Sequence, residues 1–122
     1  MTTSEIATVL AWHDALNAHD VDTLVELSSD DIEIANRHSA VQGHRALRGW
    51  AASIGYTVEP GRMYFHDGVV VVEEFVLQPG PSKKTASAFR VVHDKVTSVF
   101  RHDDLASALA ATELTEADLV DA

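Results

Sequence analysis

No cysteine occurs in the 122 residues, which excludes disulfides, thiolate catalysis and Cys-ligated metal sites. Glycine is scarce, six in all, and nowhere gathered into a loop that could cradle a phosphate. No apolar run approaches the ~20 residues of a membrane span, and the opening MTTSEIATVLAW lacks the basic start of a signal peptide. A cytoplasmic protein with no membrane partner is therefore expected. Bases are also few, nine Lys and Arg against nineteen Asp and Glu, for a net charge of −10. Every charged side chain before Arg37 is acidic, and the tail after Thr112 carries Glu113, Glu116, Asp118 and Asp121 with no base. Such a chain repels phosphate backbones, so nucleic acid is not an expected partner, and solubility is the plain use of the acidity. None of the seven histidines stands in HxH or HExxH spacing, so neither a metal nor a cofactor is assigned.

What is present fits one soluble α+β domain: 46% hydrophobic and 23% charged residues at a length that allows a single core. The organising stretch is Ser4 to Ala35. Ile6, Val9, Leu10, His13 and Leu16 recur at helical spacing, and after a break at His19-Asp20 so do Val21, Leu24 and Val25. Ser4 is a candidate N-cap for the first helix and Asp20 for the second, which runs to about Leu27. Ile32 to Ala35 alternates as a strand, Asn36 to Gln42 reads as a loop, and Gly43 precedes a third helix whose buried face is Leu47, Trp50, Ala51 and Ile54.

From Tyr56 the period becomes two. Tyr56 to Phe65 is one strand bent at Pro60-Gly61, Asp67-Gly68 a hairpin, Val69 to Gln78 the longest strand, and Pro79 to Ser82 its turn. Lys84 to His93 returns, Asp94-Lys95 turns, Val96 to His102 closes the meander, and Asp103 or Asp104 caps a short helix over Leu105 to Ala111. The tail, 112–122, is expected to fray, leaving 1–111 as the domain. Counting across tight turns puts Val69, Val71, Glu73, Phe75, Ala88, Arg90, Val92, Val99, Arg101 and Asp103 on one face, read as the pocket wall. Val70, Val72, Glu74, Val76, Phe89, Val91, Val96, Ser98, Phe100 and His102 fall on the other. Both faces are too apolar to be wet, and the helices can cover only one. A homodimer through the sheet is the expected cover for the other.

The order of these elements, a helical hairpin ending in LNAHDVDTLVELSSDDIEI, a Gly-started helix GHRALRGWAAS and a meander closing with VTSVFRHDDLASALAA, resembles the nuclear transport factor 2-like superfamily, particularly its SnoaL-like members. The resemblance spans nearly the whole chain. It implies a cone-shaped curved antiparallel sheet capped by three N-terminal helices, with a short C-terminal helix and an internal cavity, often dimeric. Members include ketosteroid isomerases, polyketide cyclases, epoxide hydrolases and non-catalytic binding domains, so function stays open. The tyrosine donor of the isomerase pattern matches Trp12 here, its aspartate base matches Asn36, and its second oxyanion donor falls near Ala88. Steroid isomerisation by that mechanism is thus not expected. Glu73, Arg101 and Asp103 offer charges like the Asp-Arg-Asp set of the epoxide hydrolases, without a residue-for-residue match.

Within this frame His13, on the apolar stripe of the first helix, is a candidate base held by Asp103 or Glu73, or else a core histidine satisfied by one hydrogen bond. Asp103 is the other candidate base, with Arg101 or Arg90 as anion stabiliser. Trp12 and Asn36 are candidate positioners, and Trp50, Glu73, Phe75 and Arg90 complete the expected substrate-binding wall. A structural salt-bridge network is the alternative for the charges, and turn formation for Asn36. The expected ligand is a hydrophobic small molecule, acted on by cofactor-free isomerisation, cyclisation or hydration. The alternative is a non-catalytic carrier or an interaction module that uses the sheet face.

Overall fold

Helix formation starts where the sequence places it. The computed structural model describes residues 4–78, 80 and 83–120. Helix α1, Ser4–Asn17, buries Ile6, Val9, Trp12, His13 and Leu16 on one side and leaves Leu10 exposed. Two hydrogen bonds fix its far end to the sheet: Asn17 Nδ2 donates to the Val58 carbonyl at 2.8 Å, and Val58 N–H donates to Asn17 Oδ1 at 2.9 Å. Helix α2, Val21–Glu26, is capped by Asp20, whose carboxylate accepts from the Thr23 N–H and hydroxyl at 3.2 and 2.7 Å. Helix α3, His44–Ser53, follows Gly43, whose φ of 95° suits a residue without a Cβ, and it buries Leu47 and Ala51.

Six strands make one sheet in the order β2-β1-β6-β5-β4-β3. They are β1 Ser28–Ala35, β2 Ala40–Gln42, β3 Thr57–His66, β4 Val69–Leu77, β5 Lys83–Val92 and β6 Lys95–His102. The meander β3 to β6 is antiparallel as expected. Strand β1, however, pairs with β6 in parallel, so the sheet is mixed rather than wholly antiparallel. β1 also starts at Ser28, before the Ile32 expected for it. The stretch expected to be a loop contains β2, paired to β1 through Ile34↔Val41. Pro60-Gly61 makes the expected bend, with the register shifting between Pro60 and Met63. A Cβ at Gly61 would lie 2.7 Å from the Phe75 ring and 3.1 Å from the Glu73 carbonyl, so a larger residue would have to displace the ring. The turn expected at Pro79, Pro81 and Ser82 lies outside the described residues.

The face assignment holds for β4, β5 and Val96 and fails for the rest of β6, from Ser98 on. The last hairpin turns at His93-Asp94, both in the left-handed region with φ of 51° and 63°, and the register then shifts between Arg90 and Val91. With a side-chain period of two, a one-residue slip exchanges the faces. Val99 and Arg101 therefore join Val70, Val72, Glu74, Ser87 and Phe89 under α1 and α3, while Ser98, Phe100 and His102 join Glu73 and Arg90 on the outer face. The face expected to line the pocket is thus the one turned away from α1.

The outer face is partly covered by the chain itself. Helix α4, Leu105–Thr112, is capped by Asp104, whose carboxylate accepts from Ser107 N–H at 2.7 Å, and it packs Leu105, Ala108 and Leu109 on Tyr64, Val71, Ala86 and Ala88. As far as Val120 the tail packs on the fold, where fraying was expected. It forms a 3-10 turn, Glu116–Asp118, buries Leu114, and runs along the free edge of β3 with Val120 N–H donating to the Met63 carbonyl at 2.8 Å. Glu116 accepts a hydrogen bond from the Tyr64 hydroxyl at 3.2 Å. Burial, with the Glu116 charge beside it, pushes the Tyr64 phenol above its ordinary value. Among the described residues, no helix is long and apolar enough to cross a membrane.

Candidate functional site

Three polar side chains meet beneath α1. His13, fully buried, places Nε2 2.6 Å from Glu74 Oε2, and the Ser87 hydroxyl donates to Glu74 Oε1 at 2.6 Å. The other imidazole nitrogen, Nδ1, lies 2.8 Å from the Val9 carbonyl, which can only accept. Nδ1 must therefore carry a hydrogen, and the Nε2–Oε2 contact shares a single proton, drawn either as an ion pair or as two neutral groups. Glu74 is thus the partner of His13, where Asp103 or Glu73 was expected. Adjacent residues on a strand point to opposite faces, so in the Glu73-Glu74 pair one acid must enter the helix-covered side.

Above this triad lies a slot lined by Trp12, Trp50, Phe89 and Arg101, with about 10 Å³ of free volume, room for one water. The indoles of Trp12 and Trp50 lie 5.8 Å apart, and Trp12 Nε1 donates to Ser28 Oγ at 3.1 Å. Trp12 and Arg101 do line the interior, but that interior is almost filled. Arg101 stands at its exit, donating to the Tyr56 hydroxyl at 3.2 Å with its guanidinium 5.9 Å from the centre of the Trp50 ring.

Two hollows open at that exit and both reach Arg101 and Asn36. One, about 340 Å³, lies between α3 and β1–β2 and is walled by Ile34, Val41, Ala46, Gly49 and Trp50. The other, about 350 Å³, lies at the open ends of β5 and β6 and takes in Arg37, Lys83, Thr85, His102 and Asp103. Burial holds the His102 imidazole below its ordinary value, with Asp103 and Asp104 acting weakly the other way. Asn36 Oδ1 accepts from the His38 and Ser39 N–H groups at 2.8 and 2.9 Å, so its side chain shapes the turn it stands in.

The remaining expected residues are scattered. Asp103 lies on the rim, 70% exposed and paired with Arg37 at 3.2 Å, far from the enclosed position of His13. Glu73 is buried on the outer face and pairs with Arg62 at 3.3 Å. Phe75 lies on that same face with the Lys84 ammonium 5.8 Å from its ring centre, and Arg90 borders an outer hollow of about 440 Å³ with Val69 and Phe100. Glu73, Phe75 and Arg90 therefore do not share a wall with His13, because they sit on the opposite side of the pleat. Tyr56, Ser87 and Thr85 were not singled out from the sequence. Their one signal was position, since Thr85, Ser87 and Phe89 alternate on the side of β5 that faces α1.

A cone of helices on a bent sheet, with polar groups at its inner end, defines the class of fold, and the comparisons with known proteins agree. The SnoaL-like domain family matches residues 9–106, and the chain belongs to it. Among solved structures it is similar to an LEH-like epoxide hydrolase from M. tuberculosis, at 27% identity and TM-score 0.72, covering 84% of this chain and 80% of that one. An NTF2-like protein of unknown function from Cytophaga hutchinsonii matches at 12% identity and TM-score 0.74, over 89% of this chain and 96% of that one. A cystatin fold protein from Novosphingobium aromaticivorans matches at 24% identity and TM-score 0.71, over 82% and 98%. No curated protein is similar enough to match.

Proposed function

We propose that the chain binds a small, mainly hydrophobic molecule at the mouth of the cone, seated between α3 and β1–β2. The observation that carries this reading is the 340 Å³ hollow, which is apolar on the Ile34, Val41 and Trp50 side and ends on Arg101. Concave sites with an apolar wall and one or two placed polar groups are what small ligands use. In the catalytic form of the reading, His13 acts through Glu74 on a cofactor-free isomerisation, cyclisation or hydration, Arg101 stabilises the developing anion, and Trp12 and Trp50 position the substrate. Asp103, on the rim of the adjoining hollow, is the second candidate base. The nearly filled slot favours the alternative of a non-catalytic carrier, in which the Glu74–His13 pair holds α1 to the sheet and the ligand stays at the mouth.

Gly49 offers a clean test. It lies in α3 on the wall of the hollow with open space where a Cβ would go. Gly49→Leu fills the hollow without touching the core, and it also removes a residue unfavourable in a helix. The neutral fluorescent probe N-phenyl-1-naphthylamine is expected to bind the wild-type chain, and to bind Gly49→Leu about tenfold more weakly or worse, at unchanged or higher thermal stability. Equal binding by both would place the ligand elsewhere and end the reading.

The homodimer through the sheet belongs to the same proposal, as does a cytoplasmic setting. Phe100 and Val92 are 38% and 46% exposed on the outer face, where α4 leaves the sheet uncovered. Light scattering at micromolar concentration should give a mass near twice 13.2 kDa, and a monomeric mass would remove the dimer.

A further inference from the structure

Positive charge is scarce in this chain, yet it is concentrated at one place. Of the nine Lys and Arg residues, three, Arg37, Lys83 and Arg101, border the same hollow at the open ends of β5 and β6. Only Arg37 has its charge answered there, by Asp103 at 3.2 Å. Arg101 is half-buried and meets only a neutral phenol and the face of an indole. Neither it nor Lys83 belongs to any ion pair among the described residues. A half-buried guanidinium without a counter-charge is costly, and an incoming anion removes that cost.

A second, independent feature points the same way. Thr85 lines this hollow, and its Oγ1, just beneath the surface, is the one buried side-chain polar atom among the described residues with no hydrogen-bond partner. Buried hydroxyls are normally paired, so an orphan on the wall of an opening marks a place where a partner is missing. Lys83, Thr85 and Ser87 alternate along β5 on the helix-covered side, and Ser87 stands opposite Arg101 in the β5–β6 register. The two uncompensated cations and the free hydroxyl thus share one side of one strand pair. His102 also borders the hollow, and burial, working against its charged form, holds its imidazole below its ordinary value.

We infer that this hollow seats the anionic head of the ligand, a carboxylate or a similar oxyanion, held by Arg101, Lys83 and the Thr85 hydroxyl while the apolar body lies in the adjoining hollow against Trp50. The inference rests on the proposed binding at the mouth and narrows its ligand class to amphipathic organic acids. The local field matters for recognition: a chain of net charge −10 repels acids everywhere else, so an acid is steered to the cationic end of the cone.

Paired probes separate the two claims. 8-Anilinonaphthalene-1-sulfonate carries the same rings as N-phenyl-1-naphthylamine plus one sulfonate. The anionic probe is expected to bind about tenfold more tightly than the neutral one at low salt, an advantage that shrinks as salt is added. Arg101→Gln should remove most of that advantage, and Lys83→Gln, an exposed position that leaves folding intact, should reduce it about threefold. Thr85→Val should reduce it with no loss of neutral-probe binding. Arg90→Gln, on the outer face, should change nothing. Equal affinity of the two probes for wild type, or an advantage lost in Arg90→Gln and kept in Lys83→Gln and Arg101→Gln, overturns the anion site and leaves mouth binding standing. Failure of both probes to bind wild type overturns both.

Discussion

Glu74→Ala is expected to lower the unfolding free energy by about 3–5 kcal/mol, among the largest effects of any substitution in the chain. Glu74 is 4% exposed, and its two oxygens satisfy His13 and Ser87 at 2.6 Å each. Removing the carboxylate strips the imidazole and the hydroxyl of their partner in an interior whose adjoining slot has only about 10 Å³ of free volume. The penalty comes from the groups left behind more than from the attraction lost, which gives the test its sharp form. Replacing all three together, His13→Leu with Glu74→Met and Ser87→Ala, leaves nothing orphaned and is expected to fall within about 2 kcal/mol of wild type. Urea unfolding with an unchanged slope would measure both. A single substitution costing less than the triple would show that the three groups are not a mutually satisfied unit.

Trp12→Ala should cost a similar amount, about 3–5 kcal/mol, by a different route. Its ring packs edge-on against Phe89 at 5.3 Å and beside Trp50 at 5.8 Å, and it is 1% exposed. Truncation opens a cavity that α1, fixed to β3 by Asn17 and to β4 by His13, cannot collapse into. Trp12→Phe separates packing from the hydrogen bond to Ser28: it keeps most of the ring and should cost only about 1–2 kcal/mol. If Phe proved as damaging as Ala in the same urea experiment, the indole N–H bond to Ser28, and not the packed ring, would account for the loss.

Much of the fold was legible because the helical stripes and the meander carry strong periodicity, and caps such as Asp20 and Asp104 have a local mechanism. The site was less legible for one physical reason. Its walls are assigned by counting along strands, and the count passes through turns. Beyond the His93-Asp94 turn the register slips by one residue between Val91↔Val96 and Arg90↔Ser98, and that bulge carries Arg101 to the helix side and Phe100 to the outside. β4 was placed correctly, yet the wrong face was read as the interior, since Glu73, Arg90 and Arg101 seemed to belong together. Glu74 could have been found from α1 instead. A histidine in the middle of a buried stripe needs a partner, and the more apolar face, Val70, Val72, Val76 and Phe89, holds one acid. The docking of the tail on β3 had no local signal, because it depends on Tyr64 and an open strand edge far away in sequence.

The parallel pairing of β1 with β6 has a consequence for biosynthesis. Ser28 and Ile34 find their neighbours Val96 and Val99 only when the last strand has been made, so on the ribosome β1 waits with β2 as its one strand partner. The same last strand brings Arg101. Sheet completion and the arrival of the cation at the mouth are one event, and a chain halted before residue 96 holds neither a closed core nor a place for a ligand.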